Sequence, residues 1–300
     1  MTESLKTRSV LVYLGLTFAA TFALEGALIS GGLRFDDPVL RSGPTLLLLG
    51  VMWIPGLAAL ITAKFVERNS WRELRESLLL RFGSAGPWVL MIPVVPLLFA
   101  AMYGLTWGLG LGSPDPTLTT LTSATGSQGI SSDDVFKVML PMSALVGPIV
   151  NFAFGLGEEL GWRGFLLPRL LPLGKSRAYL VLGIIWGLWH APLILAGFDY
   201  PGHPFSGVIM MCILCTAFGI FLGEMTLHFR SALLAGFIHG AVNAQGFGIW
   251  PWLFPNVNPV LGGGSGLTGA AIWLAAGLSA WWWCERRRQQ DRETTYADLG

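Results

Sequence analysis

The sequence predicts an all-α fold: a polytopic membrane helix bundle with about eight transmembrane helices and one cytoplasmic amphipathic helix. Three observations predict it. The composition is 53% hydrophobic and 12% charged, with a mean hydropathy of +0.59, whereas a soluble domain carries about 25% charged residues. Eight apolar runs approach the ~20 residues that a helix needs to cross a bilayer. The cations are also unevenly shared between the segments joining those runs. With the N-terminus inside, sixteen of the 19 Lys and Arg fall inside, and only Arg34, Arg41 and Lys137 fall outside. Cytoplasmic loops carry such an excess, so both termini are expected to be cytoplasmic. The whole chain, 1–300, is expected to form one multi-pass domain in the plasma membrane. A net charge of +1 and the lack of a basic patch give no reason to expect nucleic-acid binding.

The elements follow in order. The first run, 9–31, comes after Lys6 and Arg8 as a signal peptide would, but it is long and has no small-x-small cleavage site before Glu25. It is read as a retained helix. The second run is 44–66. Residues 68–82 then place Leu and Trp on one side and charges on the other, with Ser70 able to cap the helix start, as in an interfacial amphipathic helix. The third run, 87–111, leads into 112–135, whose Ser, Thr, Gly, Pro and Asp read as a flexible outside loop. The remaining runs are 136–161, 178–197, 206–227, 231–251 and 267–284. Within the fifth run, Pro192 cannot donate to the Leu188 carbonyl and should kink the helix beside His190. The polar tail, 285–300, is expected to be disordered. Cys212, Cys215 and Cys284 lie in apolar runs and read as small residues at helix interfaces, not as a disulfide framework. No internal repeat is evident.

Glu25, Glu158, Glu159, His190, Glu224 and His239 are the acids and histidines inside these runs. A charged side chain at the centre of a membrane helix costs about 2.5–3.5 kcal/mol on insertion scales, so each such residue asks for a function. Residues four apart share a helix face. Glu159 can therefore pair with Arg163, Trp186 shares a face with His190, and His239 with Asn243. Glu158 is turned by about 100° from Glu159, so the two acids face different neighbours. Measured from Arg163, Arg177 and Arg230, the acids and the two histidines lie roughly 7, 20 and 14 Å deep, at levels where they can meet. Gly155, Gly157, Gly161 and Gly164 permit close helix approach around the acids. Glu25 and Glu224 have no obvious partner and read as interface polar residues; His203 and His228 read as solvated.

No Ser or Cys sits in a nucleophile motif, and there is no Gly-rich phosphate loop. A carboxylate, two imidazoles and an amide in a sheltered site suit water activation. Glu158 would act as general base on a water shared with His190. His239 and Asn243 would donate hydrogen bonds to a developing oxyanion. The same groups could bind zinc through Glu158, His190 and His239, although the His-Glu-x-x-His spacing of many zinc proteases is missing. Two further readings are a non-catalytic immunity or regulatory partner and a proton-coupled transporter. The missing repeat argues against the transporter.

Glu158-Glu159-x-x-x-Arg163, Trp186-x-x-x-His190 and His239-x-x-x-Asn243 resemble, in order, the three motifs of the CPBP intramembrane proteases, the type II CAAX prenyl endopeptidase-like or Abi family. The resemblance covers residues 136–251, a CPBP-like catalytic core. The continuation through Gly161, Trp162, Arg163, Gly164 and Phe165 is its most specific part. It implies an intramembrane endopeptidase with Glu158, His190, His239 and Asn243 as catalytic residues and Glu159 with Arg163 in support. It also implies a peptide or protein substrate entering from the cytoplasmic side, contact with membrane lipid, and no cofactor, with zinc as the alternative. The second motif of the family usually begins with Phe, and Trp186 stands there, a departure expected to leave the reacting groups untouched.

Overall fold

A computed structural model describes residues 6–33, 35, 45–126 and 129–297. Arg34 and Arg41, two of the three cations assigned to the outside, lie outside the described residues. The chain begins with α1 (Thr7–Ser30) and α2 (Thr45–Ile61), the latter extended by a π-helical turn, Thr62–Val66. Then come α3 (Trp71–Ser77), α4 (Ala85–Gly108) and α5 (Thr119–Thr125). A long helical run follows: α6 (Ser132–Asp134), a π-helical turn Val135–Met139, α7 (Leu140–Leu145), α8 (Gly147–Glu159), a π-helical stretch Leu160–Leu166, α9 (Leu167–Leu170) and a final tight turn ending at Leu173. The chain continues as α10 (Lys175–Trp189), α11 (Ala191–Leu195), α12 (Pro204–Phe229), α13 (Ala232–Gly246), α14 (Trp250–Leu253) and α15 (Leu267–Ala297). No strand occurs among the described residues. The fold is a membrane helix bundle, as expected.

Among the described residues, five helical runs are long and apolar enough to cross a membrane, against the eight expected: Thr7–Ser30, Ala85–Gly108, Ser132–Leu173, Pro204–Phe229 and Ala232–Leu253. The second expected run is represented by a shorter apolar helix, Gly50–Val66. The fifth is broken where Pro192 predicts: α10 stops at Trp189, and His190 joins it to the short α11.

Several expectations are corrected. The fourth helix does not end near residue 161 but stays helical to Leu173. Arg163, counted as an inside loop cation, is 0% exposed within it; an ion pair and an aromatic face make that burial tolerable, as described below. The tail from 285, expected to be disordered, continues α15 as far as Ala297. Its first turn is tied down: Glu285 accepts from Lys175 Nζ at 2.8 Å, and Lys175 also reaches the buried Glu224. Glu224 therefore has partners, with Tyr179 donating to it as well. The loop 112–135 is also more ordered than expected, since Leu118, Leu121 and Val135 pack with Ile249 into a small second core.

The amphipathic helix is present as α3. Ser70 and Glu73 form a reciprocal capping box. Leu74 and Leu78 are buried, while Trp71 and Phe82 are exposed. The segment after α3 docks on the α12–α13 corner, where Ala232 N donates to Leu79 O at 3.0 Å.

Glycines set the helix crossings that matter. A Cβ on Gly155 of α8 would lie 2.5 Å from the Gly236 carbonyl and 2.8 Å from the Gly240 amide of α13. Any side chain there would push the two helices apart. Gly183 and Gly187 of α10 meet Thr216 and Cys212 of α12 in the same way. Cys212 thus serves as the small interface residue expected, and all three cysteines are free.

Candidate active site

The acid pair closes α8, where the helix widens into the π-helical stretch Leu160–Leu166. Such bulges in a helix often coincide with functional sites. Glu158 and Glu159 are 2% and 0% exposed. Their neighbours follow from helix geometry. Glu159 lies one turn beyond Gly155, on the face that meets α13. Glu158, turned by about 100°, faces α10 instead.

Glu159 is engaged through one carboxyl oxygen, and its Oε2 has no hydrogen-bond partner among the described residues. Its Oε1 accepts from Arg163 Nη1 at 2.9 Å and pairs with His239 Nδ1 at 2.8 Å. The Arg163 guanidinium also sits over the Trp186 ring, 4.1 Å from its centroid. The pairing of Glu159 with Arg163 is the expected one. The His239 contact joins two helices, and spacing within one helix did not indicate it. The cause is the glycine crossing: His239 Cβ would lie 3.1 Å from a Cβ on Gly155, so its ring falls on the Glu159 face of α8.

Glu158 forms no ion pair among the described residues. Trp186 Nε1 donates to its Oε2 at 2.8 Å. The Trp186 position therefore does touch Glu158, contrary to expectation, because an indole carries a donor that a Phe ring lacks. Helical spacing placed Trp186 beside His190; nothing local to α10 indicated that its N–H would reach α8.

His190 closes α10, and its Nδ1 lies 2.9 Å from the Trp186 carbonyl. A carbonyl oxygen only accepts, so Nδ1 carries the proton and Nε2 keeps its lone pair in the neutral ring. Trp186 stands centrally, with its ring centroid 6.2 Å from that of His190 and 5.5 Å from that of His239. Asn243 lies one turn beyond His239 on α13. It is half-buried, and no side-chain hydrogen bond is recorded for it among the described residues.

The set Glu158, His190 and His239 was the candidate zinc site. Among the described residues no group of three His, Cys, Asp or Glu is placed to hold a metal ion. The Nδ1 atoms of both histidines are hydrogen-bonded, His239 to Glu159 and His190 to a carbonyl, which leaves each Nε2 free.

Residues 140–245 match the family described as Type II CAAX prenyl endopeptidase Rce1-like. A CAAX prenyl protease 2 from Methanococcus maripaludis is 28% identical over 237 residues, covering 76% of this chain and 82% of that protein. The matched segment contains Glu158, Glu159, Arg163, Trp186, His190, His239 and Asn243. Over residues 140–245, the membrane bundle that carries these residues is therefore similar to the CAAX protease (CPBP) family of membrane peptide hydrolases.

Proposed function

We propose that the chain is an intramembrane endopeptidase that cuts a peptide bond with water activated by Glu158 and His190. The observation that carries this reading is the division between the two acids. Glu159 accepts hydrogen bonds from Arg163 and His239, while Glu158 forms no direct ion pair among the described residues and accepts the Trp186 indole N–H. An acid already paired twice makes a poor base; an unpaired carboxylate beside an imidazole lone pair makes a good one.

In this reading a water lies between Glu158 and His190 Nε2, and His190 orients it by accepting one of its hydrogens. The water oxygen attacks the scissile carbonyl carbon while Glu158 takes the other proton. The oxyanion accepts hydrogen bonds from Asn243 and from Nε2–H of a His239 imidazolium paired with Glu159. When the tetrahedral intermediate collapses, the C–N bond breaks and Glu158 returns its proton to the leaving amine. Loss of one oxyanion donor typically costs about 10²–10³ in rate. Arg163 balances the charge of Glu159, and no cofactor is required.

The reading includes both termini in the cytoplasm of a plasma-membrane protein and a substrate arriving from that side, supported by the Lys and Arg bias. The relative named a CAAX prenyl protease suggests a substrate class: a peptide whose C-terminal region is tethered to the bilayer by a lipid. The test is cleavage of a farnesylated CAAX peptide by the purified protein in proteoliposomes. Wild-type turnover with none from Glu158→Ala supports the reading. A Glu158→Ala protein as fast as wild type overturns Glu158 as the base, and a wild type that cleaves nothing favours a bound, non-catalytic partner role.

A further inference from the structure

One face of α1 is polar in an otherwise apolar helix. Tyr13, Thr17, Thr21 and Glu25 follow one another at four-residue spacing, and all are buried. That spacing aligns them in one row, and the row runs along the site. Tyr13 packs edge-on against Trp162, with ring centroids 6.0 Å apart, and lies 4.8 Å from Phe165. The Thr17 hydroxyl lies beside that of Tyr13. Thr21 accepts from the indole of Trp189, the neighbour of His190, at 2.8 Å. Glu25, one turn further, is within electrostatic reach of Glu158. The row therefore runs antiparallel to the acid-bearing stretch and ends within electrostatic reach of the proposed base.

Glu25 is 1% exposed, and neither of its carboxyl oxygens has a hydrogen-bond partner among the described residues. It has no ion pair there either. The Thr62 hydroxyl, on the π-helical turn packed against α1, is also buried without a partner. Packing alone would favour Leu at position 25. Buried polar atoms are almost always hydrogen-bonded to protein or to ordered water. Acids inside membrane helices characteristically pair or line water-filled cavities. A buried water needs about two to four polar partners, and a row of hydroxyls ending in a carboxyl supplies them turn after turn.

We propose that the Tyr13–Thr17–Thr21–Glu25 row is the wet wall of the site. It holds a file of water molecules between α1 and the acid-bearing stretch, and Glu25 passes that water to Glu158. The inference rests on the hydrolytic reading above, because hydrolysis consumes one water for each bond cut in a site enclosed by membrane.

The test is hydroxyl-radical labelling of the full chain in lipid nanodiscs in ¹⁸O water, which reports side chains touching internal water whether or not the enzyme turns over. Tyr13 and Trp189 are the reporters. Trp273, 1% exposed among apolar rings, is the dry control. We expect Tyr13 and Trp189 to be labelled about tenfold faster than Trp273, as ordered internal water would produce. A Thr17→Val, Glu25→Leu double variant should bring both down to the control rate. Glu25→Gln, which keeps two polar atoms, should retain the labelling and serves as the folded comparison. Labelling of Tyr13 and Trp189 no faster than Trp273 in the wild type, or unchanged in the double variant, overturns the proposal. Slow labelling together with Glu158-dependent cleavage rejects the wet wall and leaves the proposed function standing. Fast, Glu25-dependent labelling without cleavage does the reverse.

Discussion

Replacing each acid in turn by its amide should separate stability from chemistry. In Glu159→Gln, the buried carboxylate that binds Arg163 and His239 at 2.9 and 2.8 Å becomes neutral. Arg163 is left charged at 0% exposure. Removing one partner of a buried ion pair typically costs about 3–5 kcal/mol, because the other charge stays desolvated and unpaired. The aromatic face of Trp186, 4.1 Å from the guanidinium, offsets about 0.5–2 kcal/mol at most and is present in both proteins. Glu158→Gln has no ion pair to break, and its amide oxygen still accepts from the Trp186 indole. Its stability should therefore stay within about 1 kcal/mol of wild type, near the net value of one hydrogen bond. Turnover should show the opposite pattern, abolished in Glu158→Gln and reduced in Glu159→Gln. Reversible unfolding in mixed micelles measures the stabilities, and proteoliposome cleavage measures kcat. Equal destabilisation by both substitutions, or an unchanged stability for Glu159→Gln, would refute the assignment of separate roles to the two acids.

Further outcomes follow from the same geometry. Gly155→Ala should force α8 from α13 and lower both stability and turnover, whereas Gly26→Ala, with open space at its Cβ, should be neutral; paired melting and cleavage assays check both. Trp186→Phe keeps the ring under Arg163 but deletes the donor to Glu158, and should cost about 1.5–3 kcal/mol in unfolding experiments, the range for hydrogen bonds to charged groups. Trp186→Leu should cost more, because the ring beneath the guanidinium is lost as well. Prolonged chelation should leave turnover unchanged; a lasting loss restored by zinc would assign a metal instead. Outside the membrane, the Thr117 hydroxyl and the Thr120 amide hold the Asp115 carboxyl down at about 2. A lowered acid stabilises its turn above its unfolded value of 3.8, and loses that contribution as pH falls through about 2. Amide exchange in α5 should accordingly quicken between those values, and Asp115→Asn should remove that dependence.

Much of the site was legible because it is local. Glu159 with Arg163, Trp186 with His190 and His239 with Asn243 are each one turn apart on one helix, so spacing alone orients them. The break at His190 was equally legible, since Pro192 lacks the donor that would continue α10. Glu25 and Glu224 were misread as unremarkable because their surroundings come from other helices: α1 faces the acid-bearing stretch, and Tyr179 and Lys175 reach across to α12.

The sequence alone therefore determined the membrane bundle, the protease motifs and the partners within each helix, because hydropathy and helical periodicity are properties of short segments. Only the tertiary structure decided which histidine meets which acid, because that depends on the glycine crossing of α8 and α13. It also decided that Arg163 lies inside. Hydropathy reads a cation as a helix end, and only a carboxylate and an indole brought in by packing show how the charge can stay buried. The donor from Trp186 to Glu158 and the polar row of α1 beside it are of the same kind, contacts between segments far apart in sequence.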